Sequence, residues 1–333
     1  MRLLLALALL LPLSIDAQWV RQTVNTTASF RGLAVVNEKV VWASGTGGTV
    51  IRTIDGGKTW NVITVPGAEK LDFRDIEAFD ANTAYILSIG NGDASRIYKT
   101  TDGGKTWKLQ FKNDDPEKFF DAIACWDRNN CIAMSDPVDG RFPLIATSDG
   151  GASWNLLTPR VPPEAKKDEA AFAASGTCLI TQGRNTVLLV TGGGDARVFK
   201  SQDRGLTWTA SETPIVRGAS GQGIFSIVML DAKNGFIVGG DYQKPENRML
   251  TFAKTIDGGE TWGQATDANG YRSGITALDK KTLIAVGTSG SDISRSGGNS
   301  WTVLGKENLN AVQSKGHQAT WAVGPKGMVV KLK

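Results

Sequence analysis

The stretch Thr53-Ile54-Asp55-Gly56-Gly57-Lys58-Thr59-Trp60 constrains this chain more than any other feature, because it recurs. It returns at Thr100–Trp107, Thr147–Trp154, Ser201–Trp208 and Thr255–Trp262, and a weaker copy spans Ser294–Trp301 with Ser296 in the aspartate's place. An internal repeat fixes the unit of folding before length or composition can. Each copy has a mechanical reading. The aspartate carboxylate can accept backbone N–H bonds from its own turn. The glycines supply backbone angles that other residues resist, and the tryptophan buries about 150–250 Å² of ring. The motif therefore reads as a self-capped hairpin turn with an apolar anchor. Asp55, Asp102, Asp149, Asp203 and Asp257, with Trp60, Trp107, Trp154, Trp208, Trp262 and Trp301, are structural on this reading.

The copies recur about every 40–55 residues, the period of a four-stranded propeller blade. Strand-like runs precede each copy, such as Leu33–Val36, Val40–Ala43 and Thr49–Arg52 in the first unit, which places the motif between the third and fourth strands. After the sixth copy come three more runs, 309–312, 320–323 and 328–331, with no fourth. Trp19–Val24 can supply that strand. Pairing the two ends closes the ring and removes its open edges. The expectation is an all-β, seven-bladed propeller of four-stranded antiparallel blades, one domain over residues 18–333. A six-bladed ring with a dangling C-terminus competes with it.

Met1-Arg2, a leucine-rich stretch to Leu13 and the small residue Ala17 have the form of a secretory leader over residues 1–17. A retained anchor is the alternative, although the apolar run is too short to span a bilayer, and no other stretch could. The expected location is periplasmic or extracellular. Export exposes three cysteines to oxidation. Cys125 and Cys131 flank the turn Asp127–Asn130 and are placed to pair, leaving Cys178 as a buried thiol. Three cysteines and a single histidine, His317 in a hairpin turn, cannot build a closed zinc site. No metal and no cofactor are expected. A net charge of only +4 without a basic run argues against nucleic acid as a partner.

Gly47-Gly48-Thr49-Val50, followed by the box at Thr53–Trp60, resembles the bacterial neuraminidase repeat, or Asp box. With Val41-Trp42-Ala43-Ser44-Gly45 ahead of it, the longer unit resembles the photosystem II stability and assembly factor family of propellers. That resemblance covers nearly all of the mature chain. It implies a scaffold that holds a membrane-protein intermediate, hence a protein partner. Sialidases share the box and use three arginines, a tyrosine–glutamate pair and an acid. Their first arginine lies in a Phe/Tyr-Arg-Ile-Pro motif. Here Phe30-Arg31-Gly32-Leu33 and Phe73-Arg74-Asp75-Ile76 lack the proline, and sialidase rings usually have six blades.

Function is expected on the face opposite the aspartate turns, where the long insertions cluster: 111–119, 157–170, 211–223 and 239–252. Arg31, Arg74 and Arg272 read as equivalent positions at the start of the first strands of blades one, two and six, so the three should ring one side of the channel. Arg141, Arg197, Asp195 and Lys244 lie on loops of that face. Clustered arginines clamp a carboxylate or phosphate. The expected partner is a protein, or an anionic carbohydrate or small molecule, on a monomeric ring. As a glycoside hydrolase, the alternative, the protein would use Asp136 or Asp241 as proton donor and Tyr242 or Tyr271 as nucleophile. The bland reading is that these charges pair with one another around a solvated opening.

Overall fold

The computed structural model describes residues 17–333; the expected leader lies almost wholly outside the described residues. The chain forms seven antiparallel sheets, and their innermost strands touch in cyclic order, so that Ala311–Ser314 of the last blade meets Phe30–Val35 of the first. Blade 1 comprises Phe30–Val35, Val41–Gly45, Thr49–Thr53 and Asn61–Thr64, and the others repeat this meander. Helix is confined to one short turn, Gly92–Ala94, among the described residues, and none is long and apolar enough to cross a membrane.

Blade 7 settles the number of blades. Trp19–Arg21 pairs antiparallel with Val329–Leu332, matching Trp19 with Leu332, Val20 with Lys331 and Arg21 with Val330. Gln18 and Lys333 extend the ladder by exchanging backbone bonds of 3.1 and 3.0 Å. The pairing is shorter than Trp19–Val24, but Trp19 also donates its indole N–H to Ser291 Oγ of blade 6 at 2.9 Å, tying the closing strand to its neighbour.

Burial peaks at the second strand of each blade and falls off toward the outer edge. The second strands Val41–Gly45, Ala84–Ser88, Cys131–Ser135 and Leu283–Gly287 are buried throughout, while the outer strands are largely exposed. A second strand is sandwiched between sheets on both faces, so it reads as a continuous apolar run rather than an alternating one.

The aspartate turns behave as the sequence implies. Asp55 accepts the Thr59 amide at 2.9 Å and its hydroxyl at 2.6 Å, and the same pair recurs at Asp102, Asp149, Asp203 and Asp257. Bonds from Thr59 to the charged form hold Asp55 down at about 2, well below the usual carboxylate range. The box also locks the ring. Its tryptophan packs edge-on against an aromatic of the preceding blade: Trp60 on Trp321 at 5.6 Å, Trp107 on Trp42 at 6.5 Å, Trp154 on Tyr85 at 6.4 Å. The second glycine must stay bare, because a Cβ on Gly57 would come within 2.4 Å of the Trp321 ring. On the same ring a basic side chain stacks and crosses to the next turn: Lys99 lies 4.8 Å from the Tyr85 ring centroid and donates to Gly150 O at 2.7 Å.

Cys125 and Cys131 are register partners in their hairpin and are disulfide-bonded, and Cys178 is a buried free thiol.

Candidate functional site

The site begins with a recurring irregularity. The first strands of blades 1, 2, 3 and 5 each carry a bulge, between Phe30 and Gly32, Phe73 and Asp75, Phe120 and Ala122, and Ile224 and Ser226. A bulged residue leaves the ladder and is re-aimed. The residues so released are Arg31, Arg74, Asp121 and Phe225. In blade 7 the matching place belongs to Asn310, which follows buried Leu309 as Arg31 follows Phe30.

Arg272 does not join them, which corrects the three-arginine ring expected from sequence. Arg272 N donates to Gly239 O of blade 5 just as Phe30 N donates to Gly324 O of blade 7, so Arg272 corresponds to Phe30, and Ser273 to Arg31. A slip of one residue turns a side chain to the opposite side of a strand. Arg272 is only 2 % exposed and is held by Asp292 at 2.9 and 2.7 Å, by Tyr271 O and by Ser289 Oγ.

The opening is partly plugged. Beyond the Pro-rich insertion, Glu169–Ala170 pairs with Gly192–Gly193, which bridges to Gly223 of blade 5; these short strands make blade 5 a six-stranded sheet. The chain then crosses the channel as Ala171–Gly176. Its backbone is gripped by side chains: Arg31 donates to Ala174 O at 3.1 Å, Arg74 to Ala173 O at 3.4 Å, and Asp136 Oδ1 accepts the Ala171 amide at 2.9 Å. Phe172 lies flat on Phe225, with centroids 4.0 Å apart and planes within 4°.

Between plug and wall remains a cavity of about 320 Å³, lined by Arg31 and Arg74 on one side and by Phe172, Phe225, Tyr242 and Tyr271 on the other. Tyr271 stands edge-on to Phe225 at 4.8 Å, and Tyr242 stands 6.5 Å from Tyr271 at the exposed rim. Asp72 pairs with Arg74 at 2.8 Å. Arg31 has no carboxylate partner among the described residues. Burial, and then the like charge of Arg74, push its pKa down, but a guanidinium stays protonated. The cavity is therefore positive against an aromatic wall. Burial raises the Tyr271 phenol, so it remains neutral near pH 7 and can donate or accept a hydrogen bond.

The other expected site residues lie elsewhere. Arg197 is buried in an ion pair with Glu169 and donates to Glu164 O. Asp195 takes Lys166 and Arg217. Arg141 is exposed near Glu164, and Lys244 is an exposed turn residue. Asp241 caps its own turn through the Gln243 amide at 2.9 Å, and Asp136 faces the plug. Among the described residues no acidic side chain lines the cavity, and the carboxyl beside the arginines, Asp72, is taken up by Arg74. These charges pair because each loop buries part of its own backbone and satisfies it locally, an outcome that composition does not reveal. Phe172, Phe225 and Asn310 went unread. Phe225 and Asn310 have a signal, a side chain following a buried apolar residue at the start of a first strand; Phe172 has none.

The family model described as "Photosynthesis system II assembly factor YCF48" matches residues 11–154. No curated protein sequence matches. Among solved structures, one described as "YCF48 bound to D1 peptide" superposes with a TM-score of 0.68 at 16% identity, covering 94% of this chain and 95% of that one. The family model over the first part of the chain and the fold over nearly all of it make this chain similar to the photosystem II assembly factor-like propellers, with BNR-type repeats. YCF48 from Cyanidioschyzon merolae matches this propeller with a TM-score of 0.63 at 16% identity, over 94% of this chain and 98% of that one. The Niastella koreensis GH74 enzyme matches with 0.62 at 16% identity, over 94% of this chain but 53% of its own. The resemblance read from sequence therefore holds for the fold and the repeats. Hydrolytic activity does not follow from a likeness of fold.

Proposed function

We propose that this propeller is an exported binding scaffold that holds a polypeptide partner at the plugged face of its ring. One observation carries the reading: two adjacent guanidinium groups, of which only Arg74 has a carboxylate partner, Asp72, line one cavity with four aromatic rings. A carboxylate from the partner would complete the charge pairing that Arg31 lacks, through the paired N–H geometry guanidinium offers. An apolar side chain beside that carboxylate would cover the aromatic wall, whose faces and edges are already fixed. The solved relative described as bound to a D1 peptide supports a polypeptide as the class of partner. Export rests on the leader-like N-terminus.

A photo-crosslinking amino acid at Tyr242, on the rim, tests this in cells. The expected result is one predominant conjugate, lost when Arg31→Gln and Arg74→Gln are introduced together while the circular dichroism spectrum is retained. Losing one charge-assisted pair should weaken binding about 10- to 100-fold. A conjugate indifferent to both arginines would overturn the proposal.

A further inference from the structure

The plug satisfies itself with carboxyl groups as well as arginines, and those carboxyls are largely shielded from solvent. Asp121 is 1 % exposed and one of its oxygens finds no partner. Asp136 stands close enough to raise it, and the amides of Ala173 and Asp136 face it. Below them Asp75 binds the amides of Ile123 and Ile76 at 2.8 Å each. The plug passes directly over Asp75 at Gly176: a Cβ there would fall 2.2 Å from Asp75 Oδ1, and φ is +77°. Glycine at this point lets the strap lie down and gives it a pivot. The same strap supplies the carbonyls that occupy Arg31 and Arg74.

We propose that Ala171–Gly176 is a proton-held gate on the arginine pair: closed while Asp121 and Asp136 keep their protons beneath it, and lifted when they ionise and draw water. This names the regulation of the binding site proposed above and rests on that reading for its consequence, but the gate itself can be read without any partner.

The direction follows from linkage. Closing the strap removes water from both carboxyls, and lifting it returns them to water. Burial raises Asp121 well above the ordinary range and raises Asp136 to about 6, against the support of the Ala171 amide. The closed form therefore binds protons more tightly, and raising the pH favours the open form. Every charged group facing the pair bears on this. Arg74 favours ionisation of Asp121, and Asp72 offsets Arg74. Asp75, held at about 8 by burial, and Glu77, raised by burial and by Asp75 against Lys315, stay neutral through the window. Cys178 and Tyr271 are raised and neutral, and Arg31 is cationic throughout. With Asp136 at about 6 closed and at its ordinary value open, the open-to-closed ratio rises about tenfold from pH 5 to 7.5.

Hydrogen exchange on the full mature chain, with mass-spectrometric readout, tests this. Amides of 171–175, corrected for the intrinsic rate at each pH, should open at least about tenfold more at pH 7.5 than at pH 5, while amides of Leu283–Gly287 hold constant. Asp136→Asn should cut that rise by about tenfold, and Asp121→Asn should also reduce it. Phenylglyoxal labelling of Arg31 and Arg74, normalised to exposed Arg160, should rise in step with opening. Equal strap protection at the two pH values, greater protection at pH 7.5, or a rise left undiminished by Asp136→Asn would each overturn the gate. Should Asp121→Asn fail to fold, wild type against Asp136→Asn still decides. A working gate with no crosslinked partner would remove the proposed function and leave the gate standing.

Discussion

Replacing Arg272 by methionine separates a structural arginine from a binding one. In the native protein Asp292 is completely buried and accepts four bonds: 2.9 and 2.7 Å from Arg272, 3.0 Å from the Asn269 amide and 2.8 Å from its side chain. Arg272→Met keeps most of the buried volume but removes two of those donors and the compensating charge. Breaking a buried pair from one side costs about 3–5 kcal/mol, because the remaining charge has neither partner nor water. In a chain of this size the loss should lower the thermal midpoint by roughly 4–8 °C. Arg272→Met combined with Asp292→Leu removes both charges and should return to within about 1–2 kcal/mol of wild type, since apolar pairs of similar volume substitute well for buried ion pairs. Differential scanning calorimetry of wild type, single and double variants gives all three midpoints. An unchanged midpoint in Arg272→Met, with loss of the Tyr242 conjugate, would refute the placement of Arg272 and restore the three-arginine ring.

Two further outcomes follow from the titrating groups and the degenerate turn. Asp55 and Asp102 are held at about 2, chiefly by hydrogen bonds from Thr59 and Thr106, so they add stability that is present above pH 4 and disappears as pH falls toward 2. Asp75 at about 8 and Asp136 at about 6 are raised by burial, so their contribution is full below pH 4 and fades as pH climbs through 6 and 8. Urea midpoints should peak between about pH 4 and 6, and a midpoint that increases from pH 5 to 8 would contradict the burial of these acids. In the sixth turn, the Ser296 hydroxyl meets the hydroxyls of Ser300 at 2.8 Å and Ser294 at 3.4 Å but accepts no amide, whereas Asp149 accepts both the amide and the hydroxyl of Ser153. Ser296→Asp should stabilise the protein by about 0.5–1 kcal/mol by supplying the missing amide acceptor; a neutral or destabilising effect in the same calorimetric assay would show that turn six is not built like the others.

The local features of this protein were readable along the chain. Each aspartate turn is decided by bonds between residues at most four apart, so the motif at Thr53–Trp60 announces its own geometry wherever it recurs. Strand counts follow from apolar runs between such turns, and a blade short of one strand called for the strand at the other terminus, which Trp19–Arg21 supplies. Arg31 and Arg74 were also legible, because Phe30 and Phe73 mark the same start of the first strand in consecutive blades.

Neighbourhood around the channel was decided only by the folded ring. Arg272 differs from Arg31 by one place in register, a shift that no local pattern in Tyr271-Arg272-Ser273 reveals, and the shift carries it from the opening into the core. Phe172 follows an insertion whose composition suggests a solvated loop, yet it stacks on Phe225 because the strap must cross the opening to reach blade 4. Asp121 and Asp136 become partners only when bulge and loop converge. Short-range hydrogen bonding fixes turns and strands from sequence; which side chains share a desolvated space depends on closing the ring, since that space does not exist until all seven blades surround it.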